Sequence, residues 1–432
     1  SSRMLQGYNS PFDATVTKLL KDAGVASHNL RTCHSMDEFG MGSHSQYAHE
    51  GAVKSIYSRG GVALSPGGSS GGSAVSVAKG ECDVALGTDT GGSVRLPAAY
   101  MGVLGFKPSY GRISRWGVIQ YANSLDTVGI LGRRTSELRR IFSILDQHDP
   151  QDQTSLSESL RHRMRSTRAH TPLSRLRIGI PLEYNIEELS PIVRATYLAT
   201  LHTLRRAGHT LHPVSLPGTQ SALSAYYVLA PAEASSNLAK YDGIRYGHRT
   251  TPPDASPHAD PPLPLYAKTR GEGFGEEVKR RILLGSYTLS ADAMDNYFIQ
   301  AQRIRRLVQR DFDRVFAQQN PLLDPRAGSG EEETKVDLLL VPTAPTLPPT
   351  IEELARQSPL ESYMNDVFTV PASLAGLPAI SIPVSVPGDE GLKLESTDVR
   401  TAGMQLIGQF GDDDLLLGAA QHLHHELLVD ES

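Results

Sequence analysis

Two runs of the sequence are rich in glycine and serine: PGGSSGGS at residues 66–73 and GTDTGGSVR at residues 87–95. Glycine permits backbone angles and close approaches that other residues do not, so each run can form a tight turn against another group. Successive backbone N–H groups in such a turn can converge on an anion or on the oxyanion of a reaction intermediate. A serine at the end of the turn is well placed as a nucleophile, provided that a base activates it. The residues alone therefore predict an oxyanion-binding serine enzyme.

Three other interpretations of the two runs stay open at this point. Runs of glycine and serine also make flexible linkers, although here a strand-like and a helix-like stretch interrupt them. A phosphate-binding loop needs Gly-Lys-Ser/Thr at its end, and this triplet follows neither run. Ser69 lies formally in Gly-x-Ser-x-Gly, the nucleophile elbow of Ser-His-Asp hydrolases, whereas Ser93 does not. That elbow requires a strand leading directly into it, and Ser65-Pro66 makes a poor strand end.

The hydrophobic pattern along the chain predicts interleaved helices and strands, and therefore an α/β fold. The best helical pattern lies at 292–318, where apolar residues from Met294 to Val315 recur at intervals of three and four. The other predicted helices are at 13–23, 73–79, 191–207, 231–242 and 415–428, and strands are predicted at 82–86, 176–180 and 336–341.

The chain is interpreted as one domain spanning residues 1–432, because no internal repeat and no composition shift marks a convincing boundary. Three polar stretches are expected to be exposed loops, at 147–175, 250–264 and 324–335. The second of them is rich in proline, which cannot occupy a helix interior.

Composition argues against several classes of protein. The formal net charge of −5 gives no general argument for nucleic-acid binding by this chain. Cys33 and Cys82 lie far apart in sequence, which argues against a disulfide framework or a cysteine metal site. No apolar run approaches the roughly 20 residues of a membrane-spanning helix. The start, SSRML, does not resemble a targeting peptide and has no initiator Met, so we expect it to be cut from a longer chain.

Taken together, the two runs closely resemble the amidase-signature family over residues 66–97. The resemblance implies that Ser93 is the acyl-forming nucleophile and that Ser69 is a bridging serine held by a cis peptide bond. It implies that the backbone N–H groups of Thr90, Gly91 and Gly92, with that of Ser93, line the oxyanion hole. It also implies a central mixed β-sheet covered by helices on both sides.

Further segments are similar to the glutamine-hydrolysing A subunits of tRNA-dependent amidotransferases within that family. They are MDEFGMGS at 36–43, GFKPSYGRISR at 105–115, SLD at 124–126, AEASSNL at 232–238, GFGEEVKRR at 273–281, DVFTVP at 366–371 and LAGLPAI at 374–380. The resemblance implies Arg281 for the carboxylate of glutamine, Asp366 for its ammonium group and Tyr226 beside the substrate. An arginine fork suits a carboxylate because it donates two parallel hydrogen bonds. Without the resemblance, Arg281 would be interpreted as a surface charge and Asp366 as a cap or turn residue.

The resemblance implies release of ammonia from glutamine through an acyl-enzyme, with the proton of Ser93 passing through Ser69 to a neutral lysine. The family's lysine precedes the position that matches Ser1, and none of the lysines of this chain sits in its sequence context, so no lysine is assigned. The ammonia would serve to convert Glu-tRNA(Gln) to Gln-tRNA(Gln) at a B subunit that uses ATP and Mg²⁺, with a small C subunit joining the two. No cofactor and no metal are expected in this chain itself.

Two rival functions remain open from the sequence. Another amidase-signature hydrolase, acting on fatty-acid amides, aryl amides or allophanate, would share the two serines but would not need Arg281 and Asp366. A scaffold subunit would not catalyse at all. The insertions at 250–264 and 324–335 are unlike the compact bacterial pattern and favour a fungal-like mitochondrial form over a bacterial cytoplasmic one. The sequence leaves open whether glutamine, asparagine or both are donors.

Overall fold

The computed structural model describes residues 1–25, 35–166, 171–251, 254, 262–323, 335–387 and 397–429. Cys33, most of the loop expected at 250–264 and almost all of the loop expected at 324–335 lie outside this part of the chain. Within it, helices and strands interleave, which confirms the predicted α/β class. No helix among these residues is both long and apolar enough to cross a membrane.

The helices are α1 Thr15–Asp22, α2 Gly71–Ala78, α3 Arg95–Met101, α4 Thr135–Leu145, α5 Glu158–Ser166, α6 Pro191–Arg206, α7 Ala222–Asn237, α8 Ala267–Gly273, α9 Glu276–Thr288, α10 Phe298–Val315, α11 Ile351–Arg356, α12 Pro359–Tyr363, α13 Val370–Ala375 and α14 Asp413–Val429. The strands are β1 Ser58–Arg59, β2 Val62–Ala63, β3 Val84–Asp89, β4 Leu104–Lys107, β5 Thr127–Gly132, β6 Arg177–Pro181, β7 Thr210–Val214, β8 Leu338–Pro342, β9 Ala379–Ser385 and β10 Thr401–Ile407.

The main sheet is mixed, in the strand order β3-β5-β4-β9-β10-β8-β6-β7. Strand β6 runs parallel to β7 and β8, and the other neighbours are antiparallel. Every residue of β4, β5 and β8 is buried. Successive side chains of a strand point to opposite faces, so continuous burial means that both faces of the sheet are covered at its centre. The expected mixed sheet with helices on both sides is thus confirmed.

The predicted helix at 292–318 is observed as α10, which begins only at Phe298. Met294, expected on its buried face, lies in the turns before the helix and is 39% exposed. The prediction for 231–242 was wrong at its start, because α7 begins at Ala222 and Pro231 lies inside it. Proline removes one intrahelical hydrogen bond. At Pro231, helix α7 packs closely on α9: a Cβ built on Gly285 of α9 would lie 2.0 Å from the Pro231 carbonyl oxygen.

The segment at 147–175, expected to be an exposed loop, instead contains α5. Its inward-facing residues are Met164 and Arg161, both buried. The guanidinium of Arg161 donates to the carbonyl oxygens of Leu156 and Arg112, each at 2.8 Å. A helix that buries an arginine against backbone carbonyls carries only a weak apolar stripe. For that reason the hydrophobic pattern did not reveal this helix.

Candidate active site

The two glycine- and serine-rich runs lie side by side in the structure. The first run leads into α2, which begins at Gly71, and the second connects β3 to α3. The backbone N–H of Ser70 donates to the carbonyl oxygen of Ser93 at 3.1 Å and so joins the two runs. The peptide bond between Gly68 and Ser69 is cis, as the resemblance implies for the bridging serine. The two predicted catalytic serines therefore belong to neighbouring turns.

The hydroxyl of Ser69 is fully buried, and it has no hydrogen-bond partner in the described part of the chain. It lies close to Gly40, where an added Cβ would be 3.6 Å from Ser69 Oγ and 3.9 Å from the ring of Tyr121. A buried polar atom without a partner is uncommon, and a catalytic role is one of the few explanations for it. Ser93, in contrast, is partly exposed. Ser93 thus offers an accessible hydroxyl, and Ser69 offers a buried hydroxyl whose capacity to form a hydrogen bond is not used by the described residues.

Lys107, at the end of β4, is buried but is engaged elsewhere. Its ammonium group donates to the carbonyl oxygens of Pro108 and Leu377. Burial, with the nearby charge of Arg95, lowers the pKa of Lys107 to about 7. Since Ser69 Oγ has no partner among the described residues, neither Lys107 nor any other described lysine acts on it in this structure.

The turn expected to form the oxyanion hole is built around two glycines. Gly92 has a φ of +147°, and a Cβ there would lie 2.2 Å from Thr369 Oγ1. A Cβ on Gly91 would lie 2.6 Å from the ring of Tyr226. Thr369 Oγ1 donates to the Gly91 carbonyl oxygen at 2.6 Å and fixes its direction. Within the described ranges, none of the four backbone N–H groups expected to form the oxyanion hole donates to a protein acceptor, so they can receive an oxyanion; they belong to Thr90, Gly91, Gly92 and Ser93.

A buried ion pair holds the end of this turn. Arg95 donates from Nε and Nη2 to the carboxylate of Asp89, at 3.0 and 2.8 Å, and both side chains are inaccessible to solvent. The same guanidinium donates to Gln405 Oε1 at 2.6 Å and to the Thr369 carbonyl oxygen at 2.8 Å. Burial alone would raise the pKa of Asp89, but the charge of Arg95 outweighs it and holds the pKa below its usual value. The turn is thereby fixed both to β10 and to the segment before α13.

A second buried carboxylate fixes the beginning of the turn. Thr90 Oγ1 donates to Asp126 Oδ1 at 2.8 Å. The other oxygen of Asp126 accepts the backbone N–H groups of Tyr121 and Ala122, at 2.8 and 3.0 Å. Burial raises the pKa of Asp126 to about 6, although these hydrogen bonds oppose the shift. Asp126 thus connects the oxyanion turn to the backbone of Tyr121, which contacts the pocket described next.

Arg281 lies on α9 and is only 3% exposed, which rules out the surface-charge interpretation. Its Nε donates to Glu277 Oε1 at 2.7 Å, and its Nη1 donates to the Tyr121 hydroxyl at 2.6 Å. The guanidinium carbon lies 5.7, 5.5 and 5.6 Å from the ring centres of Tyr121, Tyr227 and Tyr363. Burial would lower the pKa of Arg281, but Tyr121, Glu277, Tyr227 and Tyr226 outweigh that effect and raise it well above its usual value. The site therefore contains a permanent, preoriented cation.

Asp366 places a carboxylate beside the same tyrosines. Its Oδ2 accepts the hydroxyls of Ser43 and Tyr227, each at 2.9 Å. Burial raises the pKa of Asp366 to about 6, with both hydroxyls opposing the shift. Tyr226, also predicted beside the substrate, packs edge-on against Tyr227 with ring centres 5.0 Å apart, and it is the ring that touches Gly91. The cation and the carboxylate therefore share Tyr227, and Tyr226 connects them to the turn expected to form the oxyanion hole.

Residues 1–417 of the chain match the protein family described as Amidase. The chain belongs to the amidase family. Among curated proteins it is 54% identical over 450 residues to the A subunit of mitochondrial glutamyl-tRNA(Gln) amidotransferase from Ajellomyces capsulatus, covering 98% of this chain and 85% of that one. It is 56% identical over 440 residues to the protein of the same name from Emericella nidulans, with coverage of 98% and 85%.

Solved structures agree with this membership. The A subunit of glutamyl-tRNA(Gln) amidotransferase from Thermotoga maritima superposes with a TM-score of 0.70 at 32% identity, covering 96% of this chain and 77% of that one. The allophanate hydrolase of Kluyveromyces lactis superposes with a TM-score of 0.72 at 21% identity, covering 99% and 59%. The second likeness concerns the fold alone.

Several pocket residues of this amidase were not anticipated from its sequence. Glu277 and Thr369 lie inside the segments 273–281 and 366–371, but only their neighbours Arg281 and Asp366 were singled out. Tyr121, Tyr227 and Tyr363 come from three distant segments and meet only in the folded chain. The one available signal was the adjacency of Tyr227 to Tyr226, and in a buried helix such a pair is ordinary core.

Within the described residues, one group of side chains has the spacing of a metal site: His209, His422 and Glu426 each offer an atom within 4.8 Å of the others. His209 Nδ1 accepts the backbone N–H of Leu176 at 3.0 Å, so in the neutral ring Nε2 carries the proton. That Nε2 donates to Glu426 Oε2 at 3.0 Å. A metal at Nε2 would have to displace this proton. We therefore interpret the group as a hydrogen-bonded contact between α14 and the residue preceding β7.

Proposed function

We propose that this amidase hydrolyses free glutamine and supplies the ammonia for conversion of Glu-tRNA(Gln) to Gln-tRNA(Gln). The observation that carries the proposal is that a buried cation, Arg281, and a buried carboxylate, Asp366, both contact Tyr227 near the oxyanion turn. A free amino acid presents both a carboxylate and an ammonium group, and each needs an opposite charge in a desolvated pocket. Relatives named as glutamyl-tRNA(Gln) amidotransferase A subunits, more than half identical over nearly the whole chain, support the same substrate.

The chemistry proposed for the two serines is acyl transfer. Ser93 Oγ attacks the side-chain amide carbon of glutamine, and its proton moves to Ser69 Oγ while Ser69 passes its own proton on to a base; Ser69 Oγ has no hydrogen-bond partner among the described residues that would compete for this role. The N–H groups of Gly91, Gly92 and Ser93 stabilise the oxyanion of the tetrahedral intermediate. The C–N bond breaks, ammonia leaves with the returned proton, and water then releases glutamate from Ser93. Beyond Ser69 the family uses a neutral lysine as the base.

The charged pocket disfavours hydrolysis of an apolar amide. A fatty-acid amide would offer no ammonium group to buried Asp366 and no carboxylate to Arg281, whose one charged partner would remain Glu277, and a buried carboxylate without a counter-charge is costly. The charges of the pocket do not distinguish glutamine from asparagine, because asparagine carries the same two charged groups. The two donors differ only in length, by one methylene. A single methylene is worth only about 1–3 kcal/mol in a pocket, so we expect a preference between the two donors rather than exclusion.

The remaining parts of the proposal concern the assembly. The protein acts as the A component beside a B subunit, where ATP and Mg²⁺ serve the amidation of misacylated Glu-tRNA(Gln), and a C subunit joins the two. The compartment is the mitochondrial matrix, in keeping with relatives that are named mitochondrial. The net charge of −5 fits this arrangement, because the tRNA would be held mainly by another component of the complex.

The deciding experiment measures ammonia release from glutamine by the assembled enzyme, beside the Ser93→Ala variant and with a long-chain fatty amide as the competing substrate. We expect glutamine hydrolysis that Ser93→Ala abolishes, and little release from the fatty amide. Hydrolysis of the fatty amide without glutaminase activity would establish the rival hydrolase. If an intact assembly shows neither activity and an acyl-phosphonate probe fails to label Ser93, the protein is a scaffold subunit.

A further inference from the structure

Residues 43–45, here called the bridging segment, form hydrogen bonds with both halves of the site. Ser43 Oγ donates to Asp366 Oδ2 at 2.9 Å, on the side of the substrate ammonium group. Ser45 Oγ donates to the carbonyl oxygens of Gly67 and Ser69, at 2.8 and 3.2 Å, on the side of the reacting serines. The residue between them, His44, is only 4% exposed. Three consecutive residues thus span from the donor pocket to the turn that carries the bridging serine.

The bridging segment is packed directly on that turn. A Cβ built on Gly68 would lie 2.5 Å from the backbone nitrogen of His44 and 2.4 Å from Asp37 Oδ2. The same Asp37 oxygen accepts the backbone N–H of Ser45 at 2.8 Å. The backbone of Ser45 has a φ of +55°, a conformation that residues other than glycine, Asn and Asp rarely adopt. The position of His44 is therefore imposed from both sides by buried contacts.

The two ring nitrogens of His44 bond to opposite walls of the site. Nε2 lies 3.2 Å from Asn365 Nδ2, and Nδ1 lies 2.9 Å from Ser65 Oγ. The Asn365 amide has a fixed orientation, because its nitrogen also donates to the Ser362 carbonyl at 3.0 Å and its oxygen accepts the Tyr100 hydroxyl at 3.2 Å. An amide nitrogen can only donate a hydrogen bond, so Nε2 of His44 is the acceptor. The ring proton is therefore on Nδ1, which donates a hydrogen bond to Ser65 Oγ. Burial lowers the pKa of His44 to about 4, which keeps this neutral tautomer at physiological pH.

Each partner of His44 belongs to one functional group of the site. Ser65 Oγ also accepts the backbone N–H of Gly67 at 3.1 Å and so shapes the run that leads to Ser69. Asn365 directly precedes Asp366 in the same short turn. We propose that His44 is a positioning residue of glutamine hydrolysis, whose Nε2 sets the turn that holds the ammonium group and whose Nδ1 sets the loop that holds Ser69. This inference rests on the proposed function.

The test replaces His44 with two amides that each keep one half of the ring's hydrogen bonding. In His44→Asn the amide nitrogen can take the place of Nδ1 and still donate to Ser65, whereas Asn365 loses its acceptor. In His44→Gln the amide oxygen can take the place of Nε2, whereas Ser65 loses its donor. We expect His44→Asn to raise KM for glutamine about tenfold with little change in kcat, since one hydrogen bond at the binding turn is lost. We expect His44→Gln to lower kcat about tenfold with little change in KM.

The controls separate positioning from folding and from the function itself. His202→Asn, at an exposed histidine of α6, should leave both constants unchanged. If neither His44 variant folds, Ser65→Ala and Asn365→Ala remove the two partners one at a time and should give the same division between kcat and KM. Wild-type constants in both His44 variants, or equal losses in kcat and KM that follow thermal stability, would overturn the proposal. A wild-type assembly that releases no ammonia from glutamine would instead refute the proposed function on which it rests.

Discussion

Replacing Gly92 with alanine should disable the oxyanion turn while leaving the fold in place. The added Cβ would lie 2.2 Å from Thr369 Oγ1 and 2.8 Å from Thr369 Cβ, whereas carbon contacts settle near ~3.5–4.0 Å. Thr369 has no room to retreat, because it is fully buried and its hydroxyl is held by the Gly91 carbonyl oxygen at 2.6 Å. The turn itself must therefore shift by roughly 1 Å, a displacement that can cost on the order of 100-fold in rate.

The size of the expected loss in kcat follows from the backbone N–H donors of the oxyanion turn, which such a shift would misalign. The loss of a single oxyanion donor typically costs about 10²–10³ in kcat. We therefore expect Gly92→Ala to lower kcat for glutamine hydrolysis by about 100-fold or more, with a smaller change in KM because the charged pocket keeps its contacts. The assay is ammonia release by the assembled enzyme at saturating glutamine, with thermal unfolding followed in parallel.

Gly208→Ala is the matched control for the backbone. Gly208 has a φ of +100°, and an added Cβ there would meet nothing within 4 Å. Alanine at this position pays the penalty of a positive φ, about 1–2 kcal/mol of stability, without moving the site. We expect its kcat to equal that of the wild type. The oxyanion assignment is refuted if Gly92→Ala folds normally and keeps kcat within about threefold of the wild type, far less than the loss of one donor would cause.

Three further outcomes follow from the pocket. Because the pKa of Asp366 is raised to about 6, its carboxylate becomes neutral as the pH falls through that value; KM for glutamine should rise below it, and Asp366→Asn should remove this dependence. Glu277→Gln should raise KM about tenfold by weakening the charge-assisted bond that orients Arg281, and a KM unchanged from the wild type would show that the tyrosines orient it alone. Gly285→Ala should destabilise the protein by about 1–3 kcal/mol in thermal or denaturant unfolding, since its Cβ would overlap the Pro231 carbonyl; a melting temperature equal to the wild type would contradict the packing of α7 on α9.

The parts of the site that were predictable from sequence are those encoded locally. Ser69, Ser93 and the glycines expected to bind the oxyanion lie in two short runs whose composition already restricts the backbone; both runs form turns, and the structure adds that these turns lie side by side. Two long helices were equally predictable, since those expected at 191–207 and 292–318 are observed as α6 and α10. Their existence was more secure than their ends, as the late start of α10 at Phe298 illustrates.

What could not be predicted is everything that depends on tertiary burial of polar groups. Arg161 and Arg281 each lie next to other basic residues, and nothing in those stretches distinguishes a buried guanidinium from an exposed one. The difference arises from contacts made on folding: Arg161 meets Asp146 and backbone carbonyl oxygens, and Arg281 meets Glu277, the Tyr121 hydroxyl and three tyrosine rings. The family resemblance implied that Arg281 belongs to the site, whereas the residue pattern alone indicated an exposed surface charge.

The donor pocket and the catalytic turns are joined by polar side chains rather than by apolar packing alone. Asp126 ties the oxyanion turn to the backbone of Tyr121, whose hydroxyl meets Arg281. On the opposite side, Ser43 meets Asp366. A buried polar network is costly unless it is satisfied, and once satisfied it permits only one arrangement of its members. In the proposed mechanism, the same network would therefore both bind glutamine's two charged groups and align its amide with the oxyanion turn. A substrate that lacks either charge should lose catalytic rate as well as affinity.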